Sequence, residues 1–275
     1  MIEKLAPERI KELKGIALFV RKNIINLAFK AGKNSAHCGG SLSSVEILTT
    51  LYHQVARVKG VAIEDRDRII ISKAHASLVH YCVLESIGLL SQEEIDTFEQ
   101  SGSHFTVHAH KDLSRGLEFS GGSLGLGLSY AVGMAFACKQ KGLGCRIFVL
   151  LGDGECDEGI VWESLLFAKH HQLDNLTVIV DHNHLQADGT VEEVLDTSSL
   201  ADKFKAFGFY THEVDGHNME DLYKAIGERK TGAPTSIIAE TVKGKGISFM
   251  ENKYNWHFTV LPEAKYLKAM AELNK

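Results

Sequence analysis

Within residues 6–31, apolar side chains recur at Ile10, Leu13, Ala17, Val20 and Ile24, a spacing of three to four that predicts an amphipathic helix. Ser43 to Val55 predicts a second helix. Four apolar runs, 68–72, 146–151, 176–181 and 236–242, are too short for helices and predict buried strands. Helices are expected over 77–87 and 158–171. A small-residue helix is expected from Leu126 to Cys138, with Ala131, Gly133, Ala135 and Ala137 suited to close packing. Residues 100–124, rich in Gly, Ser and His, show no period and read as irregular; most of 182–235 reads as a polar stretch. Strands alternating with helices predict an α/β fold, a parallel sheet covered by helices on both faces. No repeat, low-complexity tract or linker interrupts the pattern, so residues 1–275 are expected to form one domain.

The 275 residues, 44% of them hydrophobic, suffice for a sizeable core without staples. Three prolines and 24% charged residues exclude a disordered or collagenous chain. A net charge of −5 argues against a broad grip on nucleic acid. The N-terminus, Met1-Ile2-Glu3-Lys4-Leu5, is charged where a secretion signal needs an apolar core, and the densest apolar runs fall far short of the roughly 20 residues that cross a bilayer. Five cysteines without a CxxC spacing suggest reduced thiols in a cytoplasmic protein. The unusual count is histidine, at 14.

Candidate chemistry concentrates in residues 146–189. One strand runs into Gly152-Asp153-Gly154; a helix follows, and the next strand runs into Asp181-His182-Asn183. Parallel strands joined by a helix end at the same sheet edge, where ligands bind in such folds. Asp153 and Asn183 are therefore expected to face one another. A carboxylate and an amide carbonyl are hard oxygen ligands suited to Mg²⁺ or Ca²⁺. Gly152 and Gly154 allow close approach of backbone to an anion, and the following helix is expected to direct N–H groups at it. The residues thus suggest a metal-bridged diphosphate site.

GDG followed about 30 residues later by a strand-end Asn resembles the thiamine-diphosphate motif. The fuller text GDGECDEGIVWESLLFAKHHQLDNLTVIVDHNHLQADG resembles the transketolase family in particular. Four further segments extend the likeness through most of the chain: SAHCGGSLSSVEIL (35–48), DRIIISKAHASLVHY (67–81), GSHFTVHAH with GLEFSGGSLGLGLSYAVGMA (102–135), and ETVKGKGISFMENKYNWH (240–257). The resemblance implies a thiamin-diphosphate-binding fold with thiamine diphosphate as cofactor. It implies Mg²⁺, or Ca²⁺ in its place, held by Asp153, Asn183 and the backbone carbonyl of Leu185. His37, His75, His108 and His257 would converge on the thiazolium and sugar channel as catalytic residues, with His75 and His257 also reaching the diphosphate. Gly122, Ser123, Leu124, Gly152, Gly154 and Glu158 would complete the cofactor contacts. Gly121 stands where the common family text has Thr, which bears on local rigidity.

The resemblance also implies a division of labour. In transketolases a following domain supplies the pyrimidine pocket, its glutamate and most of the sugar-phosphate-binding arginines, whereas this sequence closes at Lys275. The expectation is the N-terminal subunit of a two-chain transketolase that moves a two-carbon ketol unit from a ketose to an aldose, acting on sugar phosphates. Its partner would be a C-terminal, pyrimidine-binding subunit. Glu158 and Glu163, expected five residues apart on one helix, match family glutamates at the interface between subunits, and pairing around Glu163 would give a heterotetramer. Three alternatives are weighed: a subunit of another thiamine-diphosphate enzyme such as a 1-deoxyxylulose-5-phosphate synthase-like enzyme, a non-enzymatic cofactor-binding module, and a zinc hydrolase. The last rests on His104, His108, His110 and Asp112, which resemble part of an HxHxDH signature, although Leu113 stands where that signature has His.

Overall fold

In the computed structural model, which describes residues 3–275, five strands form one sheet: β1 (Arg68–Ile71), β2 (Ile147–Gly152), β3 (Leu176–His182), β4 (Tyr210–Asp215) and β5 (Thr235–Glu240). Their order is β1-β2-β3-β5-β4, and every pairing is parallel. Parallel strands need crossover connections, and helices supply them on both faces. Alternation along each strand divides the core in two. Ile69, Ile71, Phe148, Leu150, Ile179 and Ile237 pack towards the long helix Pro7–Lys30 and the helix Ser77–Ser86. Ile70, Ile147, Val149, Leu151, Val178 and Val180 pack towards Leu126–Gln140, Gly159–His170 and Leu200–Ala206. Burial on both faces is why these strands read as unbroken apolar runs.

The departures from expectation have local causes. The segment expected as one helix from Ser43 to Val55 starts earlier and divides into Cys38–Ser43, Val45–Thr50 and a final π turn, Leu51–Val55. The polar stretch contains β4 and the helices Val191–Leu195, Leu200–Ala206 and Met219–Gly227. β4 is an edge strand with one neighbour, so its YTHEVD sequence carries charge and lacks a buried run. Two of those helices open on caps legible in the text: Ser199 accepts from the Asp202 amide, and Asn218 from Glu220 and Asp221. β5 stops at Glu240, two residues short of expectation, and Thr241 to Lys243 turn into the sheet edge. On the small-residue helix, Ala131 and Ala135 are buried but Gly133 and Ala137 face outward, as a 3.6-residue period requires. Close approach occurs instead at Gly127, where an added Cβ would lie 2.7 Å from the Ser72 Cα. The C-terminal helix Glu263–Leu273 returns to the first helix, stacking Tyr266 on Phe29 with ring centroids 4.3 Å apart.

A buried carboxylate ties the first helix to the sheet layer. Glu46 accepts from Arg21 at 2.7 Å and lies 2.9 Å from His217 Nδ1. Burial alone would raise its carboxyl; the His217 and Arg21 contacts outweigh that and pull it down to about 2. A depressed carboxyl stabilises the fold fully above its unfolded value near 4.5 and loses that contribution as pH falls towards 2. Urea unfolding of wild type and Glu46→Gln should therefore differ by about 3 kcal/mol at pH 7 and converge only as pH falls to about 2.

Candidate functional site

Gly152 pairs with Asp181 across β2 and β3, so the two strands end level and place Asp153 and Asn183 at one edge. Asp153 is only 3% exposed. Its carboxylate accepts from the amides of Gly154 at 2.8 Å and His184 at 2.6 Å, and among the described residues no cationic side chain pairs with it. Burial, reinforced by the negative charge of Asp181, pushes its carboxyl above the usual range. Asn183 Oδ1 accepts from the Leu185 amide at 3.2 Å, while its Nδ2 donates to Asp181 at 3.1 Å. A cavity of about 150 Å³ opens between these groups, lined by Asp153, Asn183, Leu185, Gly152, Gly154 and Leu124 among others. A buried carboxylate without a counter-charge, beside amide and carbonyl oxygens, is the donor set a hard divalent cation needs. The residues present therefore fit such an ion.

The cavity also has a cationic lining residue, which sequence reasoning missed. Lys243 is 2% exposed and donates to the carbonyls of Leu185 at 3.0 Å and Gln186 at 2.7 Å, with His257 Nδ1 3.2 Å away. Burial, aided by the neighbouring charge of Lys73, lowers its ammonium to about 8. Lys73 is fully buried in an ion pair with Asp181, which also accepts from Ser43, Ser44, Asn183 and Thr241. Burial would raise Asp181, but Lys73 holds it low. The visible clue was the repeated Lys-Gly text, KGKG at 243–246, directly after a strand.

Four expected histidines meet in space. The His37 ring centroid lies 5.7 Å from His75, 5.6 Å from His108 and 5.3 Å from His257, and His75 lies 5.0 Å from His257. Burial comes first in lowering His37 to about 3 and His257 to about 4; neighbouring histidines and Lys243 deepen the first shift, and Lys243 and Lys73 the second. His75 is also pushed down, by burial and then Lys73. His37, His75 and His257 are therefore neutral near pH 7, each able to donate one N–H and accept at the other nitrogen. His37 Nδ1 is buried without a partner. Phe258, also missed, packs on His37 with centroids 4.4 Å apart and is half-exposed. The cluster adjoins the cavity through His75 and His257, which line it.

The remaining expected residues divide. Leu124 lines the cavity, whereas Gly122 and Ser123 are exposed on the preceding loop. That loop enters its helix through Gly125 at φ 81°, where a Cβ would meet Ile160 at 2.6 Å. The helix expected to point directly at Asp153 begins only at Gly159, after a 3-10 turn over Gly154–Asp157. Glu158 is therefore a helix-capping residue in extended conformation, and Glu158 and Glu163 do not share a helix as expected; both are exposed. Glu155, unforeseen, is the buried member of this run. It accepts from Ser72 and from the amides of Gly125 and Gly152, tying the glycine loop to the end of β2.

The zinc-hydrolase alternative fails on geometry. Asp112 is committed to Ser114 and Arg115, and His108 turns to the histidine cluster. Among the described residues, His104, His108, His110 and Asp112 do not converge as metal ligands.

An all-parallel sheet with an acidic and amide-lined cavity at its carboxyl edge and a histidine cluster beside it defines a cofactor-dependent class. The thiamine diphosphate binding domain of transketolase matches residues 22–273, and the chain belongs to the transketolase family. Particular relatives narrow this. The chain is 37% identical over 243 residues to the 6-deoxy-6-sulfo-D-fructose transketolase subunit SqwG of a Clostridium species, covering 87% of this chain and 88% of that protein. It is 37% identical over 259 residues to an apulose-4-phosphate transketolase subunit from Phocaeicola vulgatus, covering 93% and 91% respectively. The transketolase structure from Leishmania mexicana superposes with a TM-score of 0.88 at 27% identity, covering 96% of this chain but 41% of that one. The chain thus spans about two fifths of the solved transketolases it matches. Among the described residues no helix is long and apolar enough to cross a membrane.

Proposed function

We propose that this chain is the diphosphate-binding subunit of a two-chain transketolase, moving a two-carbon ketol unit from a ketose to an aldose together with a pyrimidine-binding partner. The observation that carries the reading is the cavity itself: Asp153, which has no ion-pair partner among the described residues, and Lys243 both line it, and the cluster of four histidines adjoins it through His75 and His257. Two relatives matched over nearly their whole length bear the word subunit in their names, which supports the division between chains.

Asp153, Asn183 Oδ1 and the Leu185 carbonyl would hold Mg²⁺; that carbonyl accepts from Lys243 with one lone pair and has a second to offer. Gly152, Gly154, Leu124, His75 and His257 would border thiamine diphosphate, with Gly122, Ser123 and Glu158 on its outer side. When bound, the cofactor supplies a carbon nucleophile and an electron sink for breaking the ketose C–C bond. His37, His75, His108 and His257 would orient the sugar and move protons at its oxygens; the neutral imidazoles of His37, His75 and His257 do both without repelling the adjacent ammonium. A ketose with an acidic terminus, phosphate or sulfonate, fits the substrates named for those two relatives.

Glu163 lies on an exposed helix face with Leu166 at 62% and Phe167 at 43% exposure, which supports pairing of two copies there and a heterotetramer with two partners. Residence in the cytoplasm is supported by five free cysteines. The test is reconstitution with a pyrimidine-domain partner. Ketol transfer between acidic ketoses and aldoses should appear only on mixing, at least about 100-fold above either chain alone. Full transfer by the isolated chain would refute the division.

A further inference from the structure

A second group of ligand-type side chains stands outside the cofactor cavity, on the solvent side of the same sheet edge. His182 closes β3, and His184 follows two residues later in a bend where its backbone takes φ 63°, which brings its side chain back beside that of His182. Glu240 closes β5 and is the registered partner of His182 across the β3–β5 pairing. Its carboxylate bridges the two rings, Oε1 lying 2.6 Å from His182 Nδ1 and Oε2 2.7 Å from His184 Nε2. The rings face each other with centroids 4.0 Å apart. One ligand atom from each of the three residues lies within 4.8 Å of the other two, and among the described residues this is the one such group of three. His184 and Glu240 are each 48% exposed at the side chain, so solvent reaches the group directly.

We propose that His182, His184 and Glu240 form a binding site for a borderline divalent metal ion such as Zn²⁺, separate from the oxygen-lined cation position at Asp153. Two imidazole nitrogens and one carboxylate oxygen are a donor set that zinc accepts, leaving a fourth position to water. Zinc bonds of about 2.0–2.2 Å place tetrahedral ligands roughly 3.4 Å apart, so closure needs only small rotations of exposed side chains. On binding, the two ring-to-carboxylate hydrogen bonds give way to metal–ligand bonds: the proton on each coordinating nitrogen passes through solvent to the other ring nitrogen, which then faces away from the ion. The two positions sort metals by chemistry: all-oxygen ligands for Mg²⁺, mixed nitrogen and oxygen for Zn²⁺. They are also mechanically joined. Asn183 lies between the two histidines, and the His184 amide holds Asp153. An ion here pins the segment that carries Asn183 and Leu185.

The inference is independent of the proposed reaction and is tested on the full chain without cofactor. Co²⁺, a coloured stand-in for Zn²⁺, is titrated in saturating Mg²⁺ while its visible absorption is followed; Zn²⁺ is then added in competition. One equivalent should produce the band of a four- or five-coordinate ion, and Zn²⁺ should bleach it. His184→Ala and Glu240→Gln should each weaken binding about 100-fold or more, while His37→Ala, in the channel cluster, leaves the band intact. Loss of the band only in His37→Ala would place the ion among the channel histidines and overturn the proposal. So would an undiminished band in both His184→Ala and Glu240→Gln, or no band in the wild-type chain.

Discussion

Asp153→Ala abolishes Mg²⁺-dependent binding of thiamine diphosphate to the reconstituted complex, an expected loss of at least about 100-fold in cofactor affinity. Three charged carboxyl-bearing positions crowd the ends of β2 and β3, and only one is available to a cation. Asp181 is neutralised by Lys73, and Glu155 is spent on Ser72 and two backbone amides. Asp153 and Glu155 are both buried, raised by their surroundings and without an ion-pair partner among the described residues, but Asp153 is held by only two backbone amides, one on each oxygen. Alanine leaves the diphosphate and the metal without that charge, so added Mg²⁺ should no longer improve binding. The fold should tolerate the change, since removing an uncompensated buried carboxylate offsets much of the loss of its two backbone hydrogen bonds. Asp153→Asn retains the shape but only one of the two acceptor oxygens, so its Nδ2 meets one backbone N–H donor to donor; it should cost some stability while still weakening the Mg²⁺ response. Calorimetric titration of cofactor with and without Mg²⁺ measures both variants. Unchanged binding in Asp153→Ala would remove the metal assignment.

Lys73→Met should cost about 3–5 kcal/mol of folding stability, the largest effect expected from any single replacement here. Lys73 and Asp181 are both 0% exposed, and the ammonium also donates to the Gly40 carbonyl at 3.0 Å and Ser44 Oγ at 3.1 Å. The substitution fits the volume but strands Asp181 in the interior with its negative charge opposed only by hydroxyl and amide donors. Breaking a buried pair from one side is costly for that reason, whereas removing both charges is far milder. The double replacement Lys73→Met with Asp181→Asn should accordingly recover part of the loss, and a cycle of denaturant midpoints reads out the coupling. Additive losses would mean that the pair is not the structural tie between β1, β3 and the helix Cys38–Ser43.

Much of the site was legible because its residues stand at punctuation marks in the sequence. Asp153 follows an unbroken apolar run and sits between two glycines, and Asn183 follows a second such run. A buried parallel strand can be read from its text, and so can the place where it stops. The four histidines were legible only through family resemblance; nothing in the spacing of positions 37, 75, 108 and 257 says that the other three rings come within 6 Å of the His37 ring. Lys73, Lys243 and Glu155 escaped notice because an isolated charged residue normally reads as solvated surface. Their burial depends on partners up to 108 residues away. β4 was missed for the opposite reason: an exposed edge strand needs no apolar run, so its sequence carries no strand signal.

By itself, the sequence determined the α/β class, the strands β1, β2, β3 and β5, and the pair of strand ends that carries Asp153 and Asn183. Those features follow from periodicity and chain punctuation, which are local properties. Only the tertiary structure decided the order β1-β2-β3-β5-β4, the neutral state of His37, His75 and His257, the ion pair that commits Asp181 and the burial of Asp153 without such a partner among the described residues. It alone set His182 and His184 against Glu240. Each of these depends on which residues distant in sequence share a low-dielectric space or a strand register, and local patterning does not encode that pairing.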